Sequence, residues 1–163
     1  LAILRAGGTK RLYFLGFAGT KKDYNVGDLF VPDAVRCLDG LVNFYDPATD
    51  LLDVPKDRVD ALLRYFNNEG LQFHEGMAAS IPSVFHSNDW VAKELELDGR
   101  ISAYDMELAS AVYFSRRNGL QLTPLLIISD NQKQELPDGF AVREQSFYST
   151  FLKLKEGVLK GKL

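Results

Sequence analysis

Two short stretches carry the side chains best suited to chemistry: Tyr104-Asp105-Met106-Glu107-Leu108 and Ile127-Ile128-Ser129-Asp130-Asn131. The first places two carboxylates and a thioether where a strand turns into a helix. The second ends an apolar strand with a Ser-Asp pair. Asp105, Glu107 and Asp130 thereby gather near the carboxyl ends of two strands, where open α/β sheets bind ligands. A carboxylate in that place binds vicinal hydroxyls bidentately, as in ribose recognition, or acts as a general acid when burial raises its pKa. Cleaving a bond between a sugar and a base makes an oxocarbenium-like sugar and an electron-rich leaving base. Such a reaction needs a proton donor near the base and a polar clamp on the sugar. Ser129 beside Asp130 could orient that donor, and the soft, apolar Met106 suits packing under a sugar ring. Each group also has a plain structural reading. Asp105 could cap the following helix, Glu107 could be a first-turn acid favoured by the helix dipole, and Asp130 could cap a turn. The pairing of the two motifs, their order and their positions favour chemistry.

The elements that must position them follow from apolar spacing. Leu12 to Ala18 is a continuous apolar run, read as a buried central strand, with Gly16 and Gly19 near its end. A second strand starts over Val26–Pro32, where Pro32 suggests an edge or a bulge. Residues 39–53 are rich in turn formers and read as a loop. Pro55 opens a helix to about Asn68, with Val59, Leu62, Leu63 and Phe66 at helical spacing and Gly70 as its cap. Strands are expected at 71–80, 101–104 and 122–128, and helices at 89–97, 106–118 and 145–159. Loops fill 81–88 and 131–140. The last helix is expected to bury Phe147, Phe151, Leu154 and Val158 on one face. Strands and helices mostly alternate, which predicts an α/β fold in one domain spanning 1–163. The chain begins at Leu1 and runs at once into what reads as a helix end, with Gly7 or Gly8 as C-cap. A helix without a beginning reads as a truncated chain.

Composition narrows the partners. The chain has 163 residues, is 46% hydrophobic, and carries a formal net charge of -3, which suits a globular domain with a sizeable core. Lys21-Lys22 and Arg116-Arg117 are isolated basic pairs, so nucleic acid is not an expected partner. No apolar run has the length to span a bilayer, and no signal peptide is visible, so no membrane partner is expected. Cys37 is the sole cysteine, which fits a reducing cytoplasm. His74 and His86 lack the neighbours of a zinc site, so no metal is expected.

The chain resembles the nucleoside phosphorylase and nucleosidase superfamily, which includes purine nucleoside phosphorylase, uridine phosphorylase and methylthioadenosine/S-adenosylhomocysteine nucleosidase. Gly16-Phe17-Ala18-Gly19 is similar to the family's Gly-Ser/Thr-Cys/Ala-Gly turn, and Asn25 to Pro32 to its "VGDLVIP" strand. His74-Glu75-Gly76 and Ser80 stand where the family has "H-x-G" and a Ser before an aromatic. Asp105-Met106-Glu107 matches its Glu-Met-Glu, and Ile128-Ser129-Asp130 its Ser-Asp. The resemblance implies a three-layer α/β fold, a mixed central sheet flanked by helices, with the family's front segment lacking. It implies that Glu107 binds the ribose hydroxyls and that Met106 packs on the sugar. Asp130 would face the base and protonate or hydrogen-bond it, supported by Ser129. Asp105, Tyr104, Ala18 and Gly19 would lie near ribose and base, and Val84 and Phe85 would wall the base. For Val84, Phe85 and Tyr104, ordinary core packing is an equal reading.

The implied activity is cleavage of a nucleoside's N-glycosidic bond, purine favoured, by phosphorolysis or hydrolysis. No cofactor is implied; phosphate would be a co-substrate only for phosphorolysis. The expected partners are a nucleoside or nucleobase and further copies of the chain. Phe14 stands where phosphorylases of the family carry Arg, which favours hydrolysis, and Phe17 replaces the small hydroxyl residue after the first Gly. The missing front segment would supply sheet strands, a phosphate-binding loop and, in nucleosidases, a carboxylate that activates water. These departures support the alternative of a non-catalytic relative that binds a nucleoside or only assembles with a partner. A structural coincidence on an α/β scaffold is the third reading.

Overall fold

A computed structural model gives the structure of residues 6–82, 93, 96, 98–131 and 136–162. In chain order the elements are β1 (Arg11–Thr20), β2 (Leu29–Cys37), α1 (Leu41–Tyr45), β3 (Leu51–Asp53), α2 (Lys56–Asn68), β4 (Phe73–Ser80), β5 (Ile101–Asp105), α3 (Leu108–Arg117), β6 (Gln121–Asn131) and α4 (Leu136–Leu159). The fold is the expected mixed α/β type. The strands run β3-β2-β4-β5-β1-β6, and β6 also pairs with β2, so five of them close a ring. β2–β4, β4–β5 and β1–β6 are parallel, while β1–β5, β2–β3 and β2–β6 are antiparallel.

β6 explains the closure. Leu122 through Ser129 are all buried, and the strand pairs with β1 along most of its length and with β2 at Leu29 and Phe30. A strand covered on both faces reads as an unbroken apolar run. Phe30, Val31, Val35, Leu62, Phe66, Leu108 and Leu126 to Ile128 form the fully enclosed centre. α2 buries Val59, Leu62, Tyr65 and Phe66 and stops at Gly70, whose φ of +65° lets Leu71 N–H reach the Phe66 carbonyl at 2.9 Å.

Several expectations need correction. Residues 39–53 are not one loop but hold α1 and β3, elements too short to leave a periodic signal. Val26 to Asp28 lie in a turn before β2, and Pro32 marks a register shift against β4, the bulge reading, in a strand paired on both sides. β1 is central by pairing, but its side chains from Leu12 to Phe17 are half-buried or exposed. Its apolar run pairs with β6 along its whole length, while β5 meets β1 only at Gly19. α4 starts at Leu136, inside the expected loop, with Pro137 and Gly139 in its opening turns. It buries Thr150, Leu154 and Gly157, while Phe151 and Val158 are exposed. Gly8, with φ +82°, follows the helical Ala6 as the expected cap. Most of the expected loop 81–88 and helix 89–97 lies outside the described residues.

Candidate active site

The ends of β1, β5 and β6 meet at Gly19, which stands opposite both Tyr104 of β5 and Asp130 of β6. Between Ala18 and Gly19 the pairing with β6 slips by one: Ala18 faces Ile128 and Gly19 faces Asp130, leaving Ser129 as the extra residue. Such a bulge re-aims side chains at a strand end. The Ser129 hydroxyl donates to Asp130 Oδ2 at 2.7 Å, with the Ala18 carbonyl as a longer partner at 3.2 Å. A side chain at Gly19 has no room: its Cβ would lie 2.4 Å from the Tyr104 ring and 2.6 Å from Asp130 Oδ1. Burial, the Asp130 charge and a hydrogen bond to it push the Tyr104 phenol up to about 12.

The second half of the site is the junction of β5 and α3. Asp105 is 4% exposed. Its Oδ1 accepts from Ser80 Oγ at 2.6 Å, and its Oδ2 accepts from the backbone N–H groups of Glu107 at 3.0 Å and Leu108 at 2.6 Å. Ser80 Oγ in turn accepts from Ala109 N–H at 2.7 Å. Three of the amides that open α3 are therefore satisfied by one serine–aspartate pair, the capping reading of Asp105. Burial pushes the Asp105 carboxyl up to about 6, although the Ser80 hydroxyl and the two N–H groups favour the anion. With Asp105 turned inward, Met106 and Glu107 are left exposed at the rim, Met106 by 41%.

The turn before β2 leans on the same end of β6. Gly27 N–H donates to the Ile128 carbonyl at 2.8 Å, Ile128 N–H donates to the Asp28 carbonyl at 2.9 Å, and Asn131 Nδ2 donates to the Tyr24 carbonyl at 2.7 Å. Asp28 pairs with His74 Nε2 at 2.9 Å, and the Tyr24 ring stacks on His74 at 3.8 Å. This buttress combines the quoted Val26-Gly27-Asp28 and His74-Glu75-Gly76 motifs. Tyr24 gave no signal in the sequence, because only the fold brings it to His74.

Tyr104, Ala18, Gly19, Ser129 and Asp130 thus form one cluster, and Asp105, Met106 and Glu107 follow Tyr104 directly in the chain. Val84 and Phe85 lie outside the described residues. Phe14 packs against the core with its ring over Gly16. Phe17 does not turn into the core: it is 41% exposed, and its ring meets Phe147 of α4 at 5.4 Å. A groove of about 850 Å³ lies elsewhere, between β2, β3, β4 and α2, lined by Asp33, Asp53, Lys56 and Glu75 among others. It contains none of these site residues.

The chain belongs to the Phosphorylase superfamily, whose family model matches residues 1–153. It is 26% identical over 150 residues to the DeoD-type purine nucleoside phosphorylase of Streptococcus suis (strain 05ZYH33), covering 90% of this chain and 63% of that protein. The chain thus spans under two thirds of the length of this curated relative. Among solved structures, Helicobacter pylori futalosine hydrolase superposes with a TM-score of 0.79 at 24% identity, covering 98% of this chain and 72% of its own. Campylobacter jejuni 5′-methylthioadenosine/S-adenosyl homocysteine nucleosidase superposes with a TM-score of 0.82 at 17% identity, covering 98% and 73%. At these identities the superpositions establish the shared fold.

Proposed function

We propose that this protein cleaves the N-glycosidic bond of a nucleoside, with purines favoured, and releases the free base. The observation that carries this reading is the Ser129–Asp130 pair, set by a β-bulge beside Gly19 and Tyr104, with Met106 and Glu107 exposed just beyond β5. In the proposed reaction Asp130 meets the leaving base and hydrogen-bonds or protonates it while Ser129 holds the carboxylate. Glu107 takes the ribose hydroxyls, and its charge favours the developing oxocarbenium ion. Met106 packs under the sugar. The backbone of Ala18 and Gly19 lies near ribose and base, and Asp105 fixes the start of α3. The C1′–N bond breaks with its electron pair leaving on the base, which takes a proton from Asp130; an oxygen of water or phosphate adds to C1′, and the proton that the nucleophile releases to solvent restores Asp130. No cofactor enters this chemistry. Phe14 offers no cation for phosphate, which supports hydrolysis.

The nearby family members named above are a phosphorylase, a hydrolase and a nucleosidase, which supports this class of reaction. The test is a panel of purine and pyrimidine nucleosides incubated with and without phosphate, with free base followed by chromatography. Release without phosphate makes the protein a nucleosidase. Release that requires phosphate makes it a phosphorylase and demands another account of Phe14. No release from any nucleoside by folded protein removes the reading and leaves a binding or assembly role, the alternative that Phe17 favours.

We also take residues 1–163 as one domain that works in the cytoplasm as a homo-oligomer. Tyr148, Phe151, Leu152, Val158 and Leu159 are exposed on α4, and apolar surface of this kind marks association sites. No described helix is long and apolar enough to cross a membrane. Phe151→Glu combined with Leu152→Lys is expected to convert the assembly to monomers in sedimentation-velocity measurements. An unchanged sedimentation coefficient would place the interface elsewhere or dismiss it.

A further inference from the structure

The Tyr104 ring lies across Gly19, with its Cζ and Asp130 Oδ1 each 2.6 Å from the position a Gly19 Cβ would take, so phenol and carboxylate crowd one space, and the Asp130 charge helps to raise the phenol's pKa. Two strands with no shared ladder meet here. β5 and β6 both border β1, and only a missing side chain at Gly19 lets their residues touch over it. The Ser129 hydroxyl donates to Asp130 Oδ2. The Oδ1 oxygen lies beside the Tyr104 ring at the empty Cβ position of Gly19. A carboxylate held by the Ser129 hydroxyl on one side and crowded by the Tyr104 phenol on the other loses its freedom to rotate about χ2, a broad and soft torsion when unrestrained.

We propose that Tyr104 is the positioning residue of Asp130: its hydroxyl, passed over Gly19, fixes the carboxylate plane that Ser129 alone would leave free to turn. This inference rests on the proposed role of Asp130. It makes Tyr104, expected near ribose and base or in the core, a partner of the reactive carboxylate. It also gives Gly19 a task that backbone flexibility does not: Gly19 lies in a strand and is absent from the positive-φ glycines, so it is required by space. Alanine there must push either the Tyr104 ring or the Asp130 carboxylate aside.

The test uses the whole chain and two readouts. The chain has seven tyrosines, and ultraviolet titration of the wild type is expected to show one that ionises near 12. Tyr104→Phe should remove that step. Asp130→Asn should move it down, because the neighbouring negative charge is gone. In base-release assays Tyr104→Phe should lower kcat by roughly 10- to 100-fold with KM nearly unchanged, the mark of lost orientation rather than lost binding. Gly19→Ala should reproduce the kcat loss. Tyr104→Phe removes only an oxygen, and circular dichroism confirms that the fold survives. A tyrosine titration that ignores Asp130→Asn, or a Tyr104→Phe enzyme with wild-type kcat, overturns the proposal. If the titrations are coupled but the wild type cleaves no nucleoside, the glycosidic reading fails while the Tyr104–Asp130 unit stands.

Discussion

Replacing Asp130 by Asn is expected to lower base release by about 10²- to 10⁴-fold, the range over which a positioned acid or base contributes to proton transfer. Asn keeps the shape and can still accept from Ser129, so the fold and the binding of nucleoside should survive. It cannot give or hold a proton for the leaving base. The loss should therefore fall in kcat, with KM or the dissociation constant of a non-reacting nucleoside analogue within a few-fold of wild type. Equal loss in kcat/KM and in analogue binding would mean that Asp130 serves as a clamp rather than in the bond-breaking step. Unchanged release would remove Asp130 from the chemistry altogether.

The second large effect concerns stability and pH. In the folded chain Asp105 titrates near 6, against an ordinary 3.8, because burial outweighs its three hydrogen-bond donors. The folded state therefore binds this proton more tightly than the unfolded chain does. The resulting stabilisation is fully present below about 4 and is lost as pH rises through about 6. A shift of about two units corresponds to roughly 3 kcal/mol. Denaturant unfolding between pH 4 and 7 should show this slope in the wild type, and Asp105→Asn should flatten it. Matching slopes in the two proteins would show that the buried carboxyl stays charged throughout. The same proton links stability to the site, because Asp105 anchors the Glu107 and Leu108 amides just where the proposed ribose ligand begins.

The long apolar and amphipathic segments were legible in the sequence because each carries many residues of one period. The strand from Leu122 and the helix from Pro55 are cases in point. α1 and β3 were not, since five and three residues cannot establish a period. The Asp105-Met106-Glu107 and Ser129-Asp130 motifs stand at the ends of β5 and β6, the two strands that border β1. What they concealed was direction. Asp105 and Glu107 are two residues apart and alike in chemistry, yet one is enclosed by the amides of α3 and the other is exposed. Only the turn between β5 and α3 decides this. Phe17 shows the same limit: the sequence left open whether it fills the site or turns into the core, and its place on β1 sets it against Phe147. Tyr104 was read as lining the base site or as core, because its contact with Asp130 depends on strands far apart in sequence meeting over Gly19.

The closed ring of strands has a consequence for how the chain is made. β1 waits for β6, and β2 for both β4 and β6, so the ring cannot shut until residue 131 has left the ribosome. During that interval Leu12-Tyr13-Phe14-Leu15-Gly16-Phe17-Ala18, apolar and without a charge, stands with the edge that β6 will take still open. Segments of that kind are prone to pair with the same segment of another chain. Synthesis rate and chaperone supply, rather than the stability of the finished fold, should therefore govern how much of this protein reaches its native form.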